Sequence, residues 1–494
     1  MSVAAVTIPE RYNASLLLDR NLEAGRRDKA AILCGEETLT YGDVFARACG
    51  AGAALRDLGV ERGERVLLVM DDDPWFPAAF LGTMRVGAVP VPVNPLYGAD
   101  DYPYFVEDSG ARLAIVDEAC AGKVRAPKLL LVDELEAAEE FQPVDTLRDD
   151  VAFWLYSSGS TGRPKGVVHV HRDLLYTCET YARHVLGITD GDVTFSTTKL
   201  FHAYGLGNNL SFPYWAGATT VLLNGRPTPD AIFAAAERLR PTLLFSVPTL
   251  YNAMLAAERD GAFSSVRLCV SAAEPLPADV WRRWQEKHGL VILDGVGSTE
   301  MLHIYCSNTL EDVAPGSSGR PVPGYDVKLV DDDGDVVDGP GSGDLYVRGG
   351  SILREYWNQP GKTAESIRDG WFYSRDRYRR DDEGRYWCEG RADDMFKVSG
   401  LWVSPADVEA TLIEHPAVLE AAVVGVRVEG FTKAKAYVTV RESSVAGPEL
   451  ADELREFCGA KLHRYQVPEL IELVDSLPKT ATGKIERYKL RPPV

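Results

Sequence analysis

Short apolar runs alternate with amphipathic stretches over the first part of the chain. The apolar runs occur at 66–70, 88–93, 219–223, 242–246 and 266–270. Their length and lack of alternation predict buried strands. Between them, residues 229–238 and 277–288 repeat apolar side chains with a helical period. Strands alternating with helices predict an α/β fold whose parallel-rich sheets are packed with helices.

The pattern changes near residue 317. Acidic and glycine-rich segments at 331–335 and 338–343 are typical of turns between β-rich segments. Residues 371–378 and 385–387 then predict paired strands. We expect these strands to form a small β-barrel-like unit within the large N-terminal domain.

A compact α+β segment follows residue 394. Ser404 suits an N-cap, Pro405 the first turn, and Asp407 the positive end of a helix that we expect to end near Glu414. A strand is predicted at 420–426. We therefore place a domain boundary at Asp393, with a large domain over residues 1–392 and a small C-terminal domain over residues 393–494.

Composition narrows the class of protein. The 494 residues exceed what one core usually supports, which agrees with two domains. The net charge of −20 argues against nucleic acid or an anionic membrane as a partner. The eight cysteines form no CxxC pair, which favours reduced thiols over a disulfide framework or a metal cluster. With no signal segment and no membrane-spanning apolar run, we expect a cytoplasmic protein.

A loop rich in serine and glycine follows the apolar strand that ends at Tyr156. Its backbone N–H groups and hydroxyls can converge on anionic oxygens, and Lys165 adds a point charge. It is not a Walker A loop, because Pro164 stands where that motif needs glycine. Sites of α/β folds lie at the carboxyl ends of strands, so this loop is a candidate phosphate site. It contains Ser157, Ser158, Gly159, Ser160, Thr161 and Gly162.

Five motifs in a fixed order then give a family resemblance. The chain resembles the adenylate-forming superfamily, which includes acyl- and aryl-CoA synthetases, adenylation domains of peptide synthetases, and luciferases. Segments 199–208 and 297–303 are most similar to those of benzoate–CoA ligases. The five motifs lie at 156–166, 294–300, 373–376, 390–394 and 478–484.

The resemblance implies a reaction in two halves. ATP activates an aromatic carboxylic acid, benzoate or a substituted benzoate, to an acyl-adenylate with release of pyrophosphate. The acyl group then passes to the thiol of CoA. The implied requirements are ATP, Mg²⁺ and CoA, and the protein would act as a monomer or homodimer.

Several alternatives stay open at this point. The acceptor could be the phosphopantetheine arm of an acyl carrier protein. The less acidic small domain suits either acceptor, because both need a locally basic docking face. The chain could also be a nucleotide-binding protein without ligase activity, or an oxygenase of the luciferase type.

The resemblance also assigns the nucleotide site. The 156–166 loop would hold the β- and γ-phosphates, chiefly through Thr161, Gly162 and Lys165. Thr299 would contact phosphate, and Glu300 would bind Mg²⁺, which prefers oxygen ligands. Asp376 would accept hydrogen bonds from the ribose hydroxyls, with Arg391 as a second nucleotide contact. The remaining ATP-binding candidates are Ala273, Glu274 and Pro275 of the adenine-side loop, and Asp294, Gly295 and Ser298.

Three residues would serve the two half-reactions and the change between them. Lys484 would bridge the substrate carboxylate and the α-phosphate as the main catalytic residue. Asp393 would be the hinge about which the mobile small domain rotates. His202 would gate the pantetheine channel.

The acid would bind in a pocket suited to a flat aromatic ring. Val296 departs from the wider family pattern, in which an aromatic residue stacks on adenine, and it would shape this pocket instead. His303 would either hydrogen-bond a ring substituent or simply pack, and Lys397 would contact the carboxylate. The pocket candidates are Ala203, Tyr204, Gly205, Val296, Gly297, His303 and Lys397.

Overall fold

The computed structural model describes most of the chain. The described residues are 6–157, 163–257, 259–391, 394–398, 401–428, 431–441, 447–479 and 485–491.

Helices recur between strands through the whole described chain. In chain order they are α1 (Leu16–Glu23), α2 (Tyr41–Asp57), α3 (Trp75–Arg85), α4 (Tyr102–Ser109), α5 (Glu118–Ala121), α6 (His171–Thr177), α7 (Ala203–Leu206), α8 (Phe212–Ala216), α9 (Pro229–Leu239), α10 (Pro248–Ala256), α11 (Ala278–His288), α12 (Pro360–Ser366), α13 (Pro405–Ile413) and α14 (Pro448–Lys461). Two π-helical segments, Cys178–Leu186 and Gly207–Ser211, extend α6 and α7. Short 3₁₀ turns span Val132–Glu134, Thr299–Met301 and Arg487–Leu490.

The strands are short in the first half of the chain and longer towards the end. They are β1 (Ala30–Cys34), β2 (Glu37–Thr40), β3 (Arg65–Val69), β4 (Val89–Pro92), β5 (Leu113–Val116), β6 (Lys128–Leu131), β7 (Val151–Ser157), β8 (Lys165–Val170), β9 (Val193–Ser196), β10 (Thr219–Leu222), β11 (Leu243–Ser246), β12 (Leu268–Ser271), β13 (Ile292–Gly297), β14 (Ile304–Ser307), β15 (Arg320–Pro321), β16 (Asp326–Val330), β17 (Gly341–Arg348), β18 (Glu355–Tyr356), β19 (Ile367–Arg368), β20 (Trp371–Arg380), β21 (Tyr386–Arg391), β22 (Phe396–Val398), β23 (Leu401–Val403), β24 (Val418–Val428), β25 (Phe431–Val440) and β26 (Leu470–Leu473).

Parallel pairing dominates the two central sheets. The larger has the order β15-β14-β13-β12-β11-β9-β10-β1-β2 and is parallel from β13 to β1. The other, β4-β3-β5-β6, is parallel throughout. The predicted strands at 66–70, 88–93, 219–223, 242–246 and 266–270 correspond to β3, β4, β10, β11 and β12, and the predicted helices to α9 and α11. The α/β class predicted from the alternation is therefore confirmed.

The strand before the serine-rich loop belongs to a different kind of sheet. β7 pairs with β8 in an antiparallel hairpin, and β18 pairs with β8 on the other side. The strand predicted before the loop is therefore confirmed, but it belongs to an antiparallel pair and not to a parallel sheet. Residues 158–162 of the loop lie outside the described residues. Lys165, expected in the loop, begins β8.

The later part of the chain follows the predicted change of pattern. The barrel-like unit corresponds to an antiparallel sheet of order β16-β17-β20-β19, with β21 pairing β20. Beyond residue 394, α13 and α14 pack on the sheet β24-β25-β26 around a core of their own. The predicted cap of α13 is confirmed, because Ser404 Oγ accepts a hydrogen bond from Asp407 N at 3.1 Å. Residues 392 and 393 lie outside the described residues, so the domain boundary stays a prediction.

Two expectations from composition can be compared with the structure. All eight cysteines lie among the described residues, and none forms a disulfide bond. No helix in the described part of the chain combines the length and apolarity needed to cross a lipid bilayer.

A buried ion pair joins α1 to α3 in the core of the N-terminal region. Arg85 is 1% exposed, and its two terminal nitrogens donate to the Asp19 carboxylate oxygens at 2.7 and 2.8 Å. Its Nε donates to the Phe141 carbonyl at 2.7 Å, and its guanidinium lies over the Phe45 ring. Every part of the buried cation thus has a partner, which a buried charge requires.

We predict that Asp19→Ala lowers the free energy of unfolding by about 3–5 kcal/mol, because Arg85 would remain buried without its counter-charge. Urea unfolding followed by tryptophan fluorescence measures the change. Glu237→Ala is the matched control, since it removes an ion pair to Arg259 whose two side chains are each 41% exposed, and should cost less than about 1 kcal/mol. Equal losses in the two variants would contradict the prediction.

Candidate active site

The candidate magnesium ligand lies on a short turn that follows a strand of the largest sheet. β13 ends at Gly297, and Thr299–Met301 forms a 3₁₀ turn capped by Ser298, whose Oγ accepts from Met301 N at 3.2 Å. Glu300 Oε1 accepts a hydrogen bond from Tyr356 of β18 at 2.9 Å and from Ser157 of β7 at 3.5 Å. Ser157 belongs to the first predicted motif and Glu300 to the second. The structure thus brings together two motifs whose residues are 143 positions apart in sequence.

Several cationic side chains lie near Lys165, which is also close to this carboxylate. The Lys165 ammonium lies 4.8 Å from the centre of the Tyr356 ring. Burial lowers the pKa of Lys165, while the nearby Glu300 carboxylate raises it, and further cations lower it again. Those further cations are Lys362, Arg375 and Arg391. A partly buried group of positive charges beside one carboxylate suits a polyanion such as triphosphate.

The chemistry of these donors also fits magnesium. No group of three or more His, Cys, Asp or Glu side chains that could hold a metal ion occurs in the described ranges. Mg²⁺ commonly binds through one or two carboxylates together with substrate phosphates. Glu300, with the Ser157 hydroxyl beside it, would supply the protein side of such a site.

The two predicted nucleotide contacts of the antiparallel sheet face each other. Asp376 and Arg391 are register partners on β20 and β21, and Arg391 donates to Asp376 Oδ1 at 3.1 Å. The backbone N–H of Asp376 donates a hydrogen bond to Ser374 Oγ at 3.1 Å. Burial raises the pKa of Tyr305 well above its usual value, and the carboxylates of Asp376 and Glu300 add to this. Tyr305 therefore lies within electrostatic reach of both the candidate ribose contact and the candidate metal ligand.

The adenine-side loop follows β12. Ala273 has a φ of 78°, a left-handed conformation that costs a non-glycine residue about 1 kcal/mol. Glu274 lies close to the C-terminal segment. Burial works to lower the pKa of Arg487, but the Glu409 carboxylate raises it above its usual value, with smaller contributions from Asp394 and Glu274. The segment that follows residue 484 thus lies near the adenine-side loop.

The other candidates around β13 are buried or half-buried at its carboxyl end. Burial raises the pKa of Asp294 well above its usual value. Hydrogen bonds from Ser271 and from the backbone of Leu276 and Gly295 lower this pKa in part. Gly295 and Gly297 lie against β14, where a Cβ on Gly297 would come within 2.6 Å of the His303 carbonyl. Val296, between them, pairs with Cys306 and is half-buried.

The predicted aryl pocket brings several aromatic side chains around one histidine. The His303 ring centre lies 5.5 Å from Tyr204 and 4.6 Å from Phe212. Its Nε2 lies 3.2 Å from Asn208 Oδ1, and burial lowers its pKa to about 3. The imidazole is therefore neutral at physiological pH and forms part of an uncharged wall. Tyr204 OH donates to the Val270 carbonyl at 3.3 Å.

The backbone around α7 is close-packed next to this histidine. Ala203 and Gly205 lie in α7, and a Cβ on Gly205 would clash with the carbonyls of Thr198 and Lys199. A Cβ on Gly207 would lie 2.7 Å from His303 Nε2. Glycine is thus required at both positions for the histidine and the helix to pack as they do.

Two other candidates lie away from these contacts. His202 precedes α7, and burial lowers its pKa to about 4. Its Nε2 has no hydrogen-bond partner within the described ranges, and its ring packs on Phe201 at 4.6 Å between ring centres. Lys397 is exposed, and its ammonium lies 4.5 Å from the centre of the Trp402 ring. No contact between Lys397 and Tyr204 or His303 is found among the described residues.

Seven predicted site residues cannot be placed. They lie outside the described residues and are Ser158, Gly159, Ser160, Thr161, Gly162, Asp393 and Lys484. Pro275 is exposed after β12.

Other residues of the site have no clear signal in the sequence. Tyr356 and Tyr305 each lie in stretches that predict only strand, and their closeness to Glu300 depends on how distant strands pair. Asn208 and Gly207 lie within a segment similar to benzoate–CoA ligases, but only the structure shows that both touch His303. His169 resembles an ordinary core histidine in an apolar strand.

Comparison with known proteins agrees with this geometry. A family model described as AMP-binding enzyme matches residues 18–357, and one described as AMP-binding enzyme C-terminal domain matches residues 407–484. The chain is 47% identical to the benzoate–CoA ligase of Thauera aromatica, over 99% of this chain and 97% of that protein. It is 42% identical to the 4-hydroxybenzoate–CoA/benzoate–CoA ligase of Rhodopseudomonas palustris, over 97% of this chain and 94% of that protein.

A solved structure gives the same result in three dimensions. The benzoate CoA ligase from Burkholderia xenovorans LB400 superposes with a TM-score of 0.92 at 43% identity, covering 97% of this chain and 100% of that one. The resemblance inferred from the five motifs is therefore confirmed, and the chain belongs to the AMP-binding enzyme family, within the adenylate-forming superfamily.

Proposed function

We propose that this protein is an AMP-forming ligase that joins benzoate or a substituted benzoate to CoA. One observation carries the proposal: a neutral aromatic pocket around His303 and a cationic site around Lys165 and Glu300 occur in one chain, which is 47% identical to a benzoate–CoA ligase over nearly its whole length. A pocket for the ring and a site for triphosphate are the two requirements of aryl adenylation.

In the first half-reaction a carboxylate oxygen of the acid attacks the α-phosphorus of ATP. An O–P bond forms, the bond to pyrophosphate breaks, and an acyl-adenylate results. Two anions must approach each other, so donors and cations that offset their repulsion lower the barrier. We assign the β- and γ-phosphates to Lys165 with the hairpin loop, the ribose to Asp376, and the carboxylate–phosphate contact to Lys484.

Magnesium would be held by Glu300 together with the phosphates of ATP, where it offsets part of their negative charge. The protein's own contribution is to hold this carboxylate in place. Tyr356 donates to Glu300 Oε1 and so fixes one of its oxygens.

In the second half-reaction the thiol sulfur attacks the acyl carbonyl, a thioester forms, and AMP leaves. The small domain would rotate about Asp393 between the two halves, removing Lys484 and bringing the segment that begins at Lys397 to line the thiol entrance. His202, neutral and without a hydrogen-bond partner at Nε2 in the described structure, is suited to move aside and open the thiol channel.

CoA is the acceptor that we propose. The two relatives reported above, which are 47% and 42% identical and match almost the whole chain, are named as CoA ligases, so the carrier-protein alternative is not favoured. A cytoplasmic location agrees with the eight unpaired cysteines.

The central prediction concerns substrates. Benzoate should release pyrophosphate from ATP, and addition of CoA should yield benzoyl-CoA and AMP in equal amounts. A coupled pyrophosphate assay across substituted benzoates, followed by mass spectrometry of the thioester, measures both steps. Lys484→Ala should abolish acid-dependent pyrophosphate release. The proposal would be contradicted if pyrophosphate release survived this change, or if none of the benzoates tested supported release.

A second prediction concerns the metal. Glu300→Gln keeps the shape of the side chain and the hydrogen bond from Tyr356 but removes the charge. It should lower kcat/KM for ATP by about 10²- to 10³-fold and raise the Mg²⁺ concentration needed for half-maximal rate. The control is Glu355→Gln, an exposed neighbour of Tyr356 on β18. An unchanged Mg²⁺ dependence would show that Glu300 has another role.

A third prediction tests the ring pocket. Gly207→Ala places a methyl group against His303, and overpacking of this kind costs about 1–3 kcal/mol. The KM for benzoate should therefore rise about 5- to 150-fold, while the KM for ATP changes little. Gly459→Ala, at a helical position with nothing within 4 Å of the added Cβ, is the control. Equal changes in both KM values would argue against a ring pocket at His303.

A further inference from the structure

A buried histidine connects the β7–β8 hairpin (the phosphate hairpin) to the turn over Thr299–Met301 that carries Glu300. His169 is fully buried on β8, four residues after Lys165, so the two side chains project from the same face of the strand. Its ring stacks on Phe153 of β7 at 5.3 Å. Its two ring nitrogens lie within hydrogen-bond distance of Asp173 and of the backbone carbonyl of Thr299, next to the candidate metal ligand Glu300.

The hydrogen-bonding roles of this ring follow from its partners. Nε2 lies 2.8 Å from the Thr299 carbonyl oxygen, which can only accept, so Nε2 carries a hydrogen and donates it. Nδ1 lies 2.8 Å from Asp173 Oδ2, which is also buried. One proton is shared between Nδ1 and the carboxyl, and either location of it leaves the Nε2–H donor in place.

Asp173 is itself held in position. Its Oδ2 accepts from Val170 N at 3.1 Å at the start of α6. The carboxyl therefore fixes the orientation of the imidazole, in the way that a partner on one ring nitrogen sets the role of the other.

The turn is tied down at three successive carbonyls. Thr299 O accepts from His169, Glu300 O accepts from Leu353 N at 2.7 Å, and Met301 O accepts from Ser351 Oγ at 2.8 Å. Of these three donors, only His169 belongs to the hairpin that also carries Ser157 and Lys165. At 2.8 Å its hydrogen bond is a shorter link between the hairpin and the turn than the 3.5 Å hydrogen bond from Ser157 to the Glu300 side chain, and it acts on the backbone of the turn.

We propose that His169 is a positioning residue for adenylation: oriented by Asp173, it holds the Thr299 carbonyl and thereby sets the Glu300 carboxylate against Ser157 and Lys165. This inference rests on the proposed function of the same site. A buried polar pair adds little net stability compared with an apolar pair, but its directional bond fixes the geometry of the turn.

The test compares binding of two nucleotides by the full-length protein. His169→Leu removes the donor at similar volume and should weaken MgATP binding about tenfold or more, the effect of one lost buried hydrogen bond. AMP binding should stay within about twofold, since AMP lacks the β- and γ-phosphates that the hairpin and Glu300 would serve. Isothermal titration calorimetry of each nucleotide measures both affinities without relying on catalysis.

Two further variants separate positioning from folding. His169→Gln keeps an N–H near the position of Nε2 and should restore MgATP binding to within about threefold of wild type. If His169→Leu does not fold, the double change His169→Leu with Asp173→Leu replaces the pair by apolar side chains and should show the same selective loss. Conversion of synthetic benzoyl-adenylate to benzoyl-CoA, which needs no MgATP, should continue at near wild-type rate in these variants.

The outcomes distinguish this inference from the proposed function. Wild-type MgATP affinity in the leucine variants, or an equal loss for MgATP and AMP, would overturn the positioning role. A wild-type protein that makes no aryl-CoA, combined with a selective loss of MgATP binding in His169→Leu, would overturn the proposed function and leave the positioning role standing.

Discussion

The site depends on one contact, between the antiparallel hairpin β7–β8 and the turn over Thr299–Met301. The hairpin supplies Ser157 and Lys165, and the turn supplies Glu300. A lysine and a carboxylate can share a triphosphate only if their separation is fixed to within about half an ångström. The strand β18 pairs with β8, and its Tyr356 donates a hydrogen bond to Glu300. It therefore supports the same contact from the other side of the hairpin.

Much of the fold can be predicted from local pattern. Strands β3, β10, β11 and β12 are short apolar runs because both of their faces are buried, and such runs have few alternatives. The N-cap at Ser404 is equally local. Pairing partners are not, because nothing near residues 151–170 indicates that residue 356 completes their sheet.

The candidate site shows the same division in its residues. Glu300, Asp376 and Arg391 belong to motifs, so a family resemblance is enough to name them. His169 and Gly207 act through neighbours that are distant in sequence: one bonds to Thr299, 130 residues away, and the other packs on His303. A lone histidine or glycine in a sequence is usually interpreted as an ordinary core or turn residue. Only three-dimensional contacts can assign it a role in a site.

The distribution of charge agrees with the role that we propose for the second domain. Burial holds the pKa of His303 near 3 and that of His202 near 4, so the groups around the proposed ring pocket are neutral. A neutral pocket accepts the ring but offers nothing to the carboxylate that enters with it. The cations of the described site lie near Lys165 and Glu300, where we propose that the triphosphate binds. We propose that the charge that brings carboxylate and α-phosphate together comes from outside the pocket, on Lys484. A cation delivered on a rotating domain can be withdrawn once the adenylate has formed, and its withdrawal leaves room for the thiol.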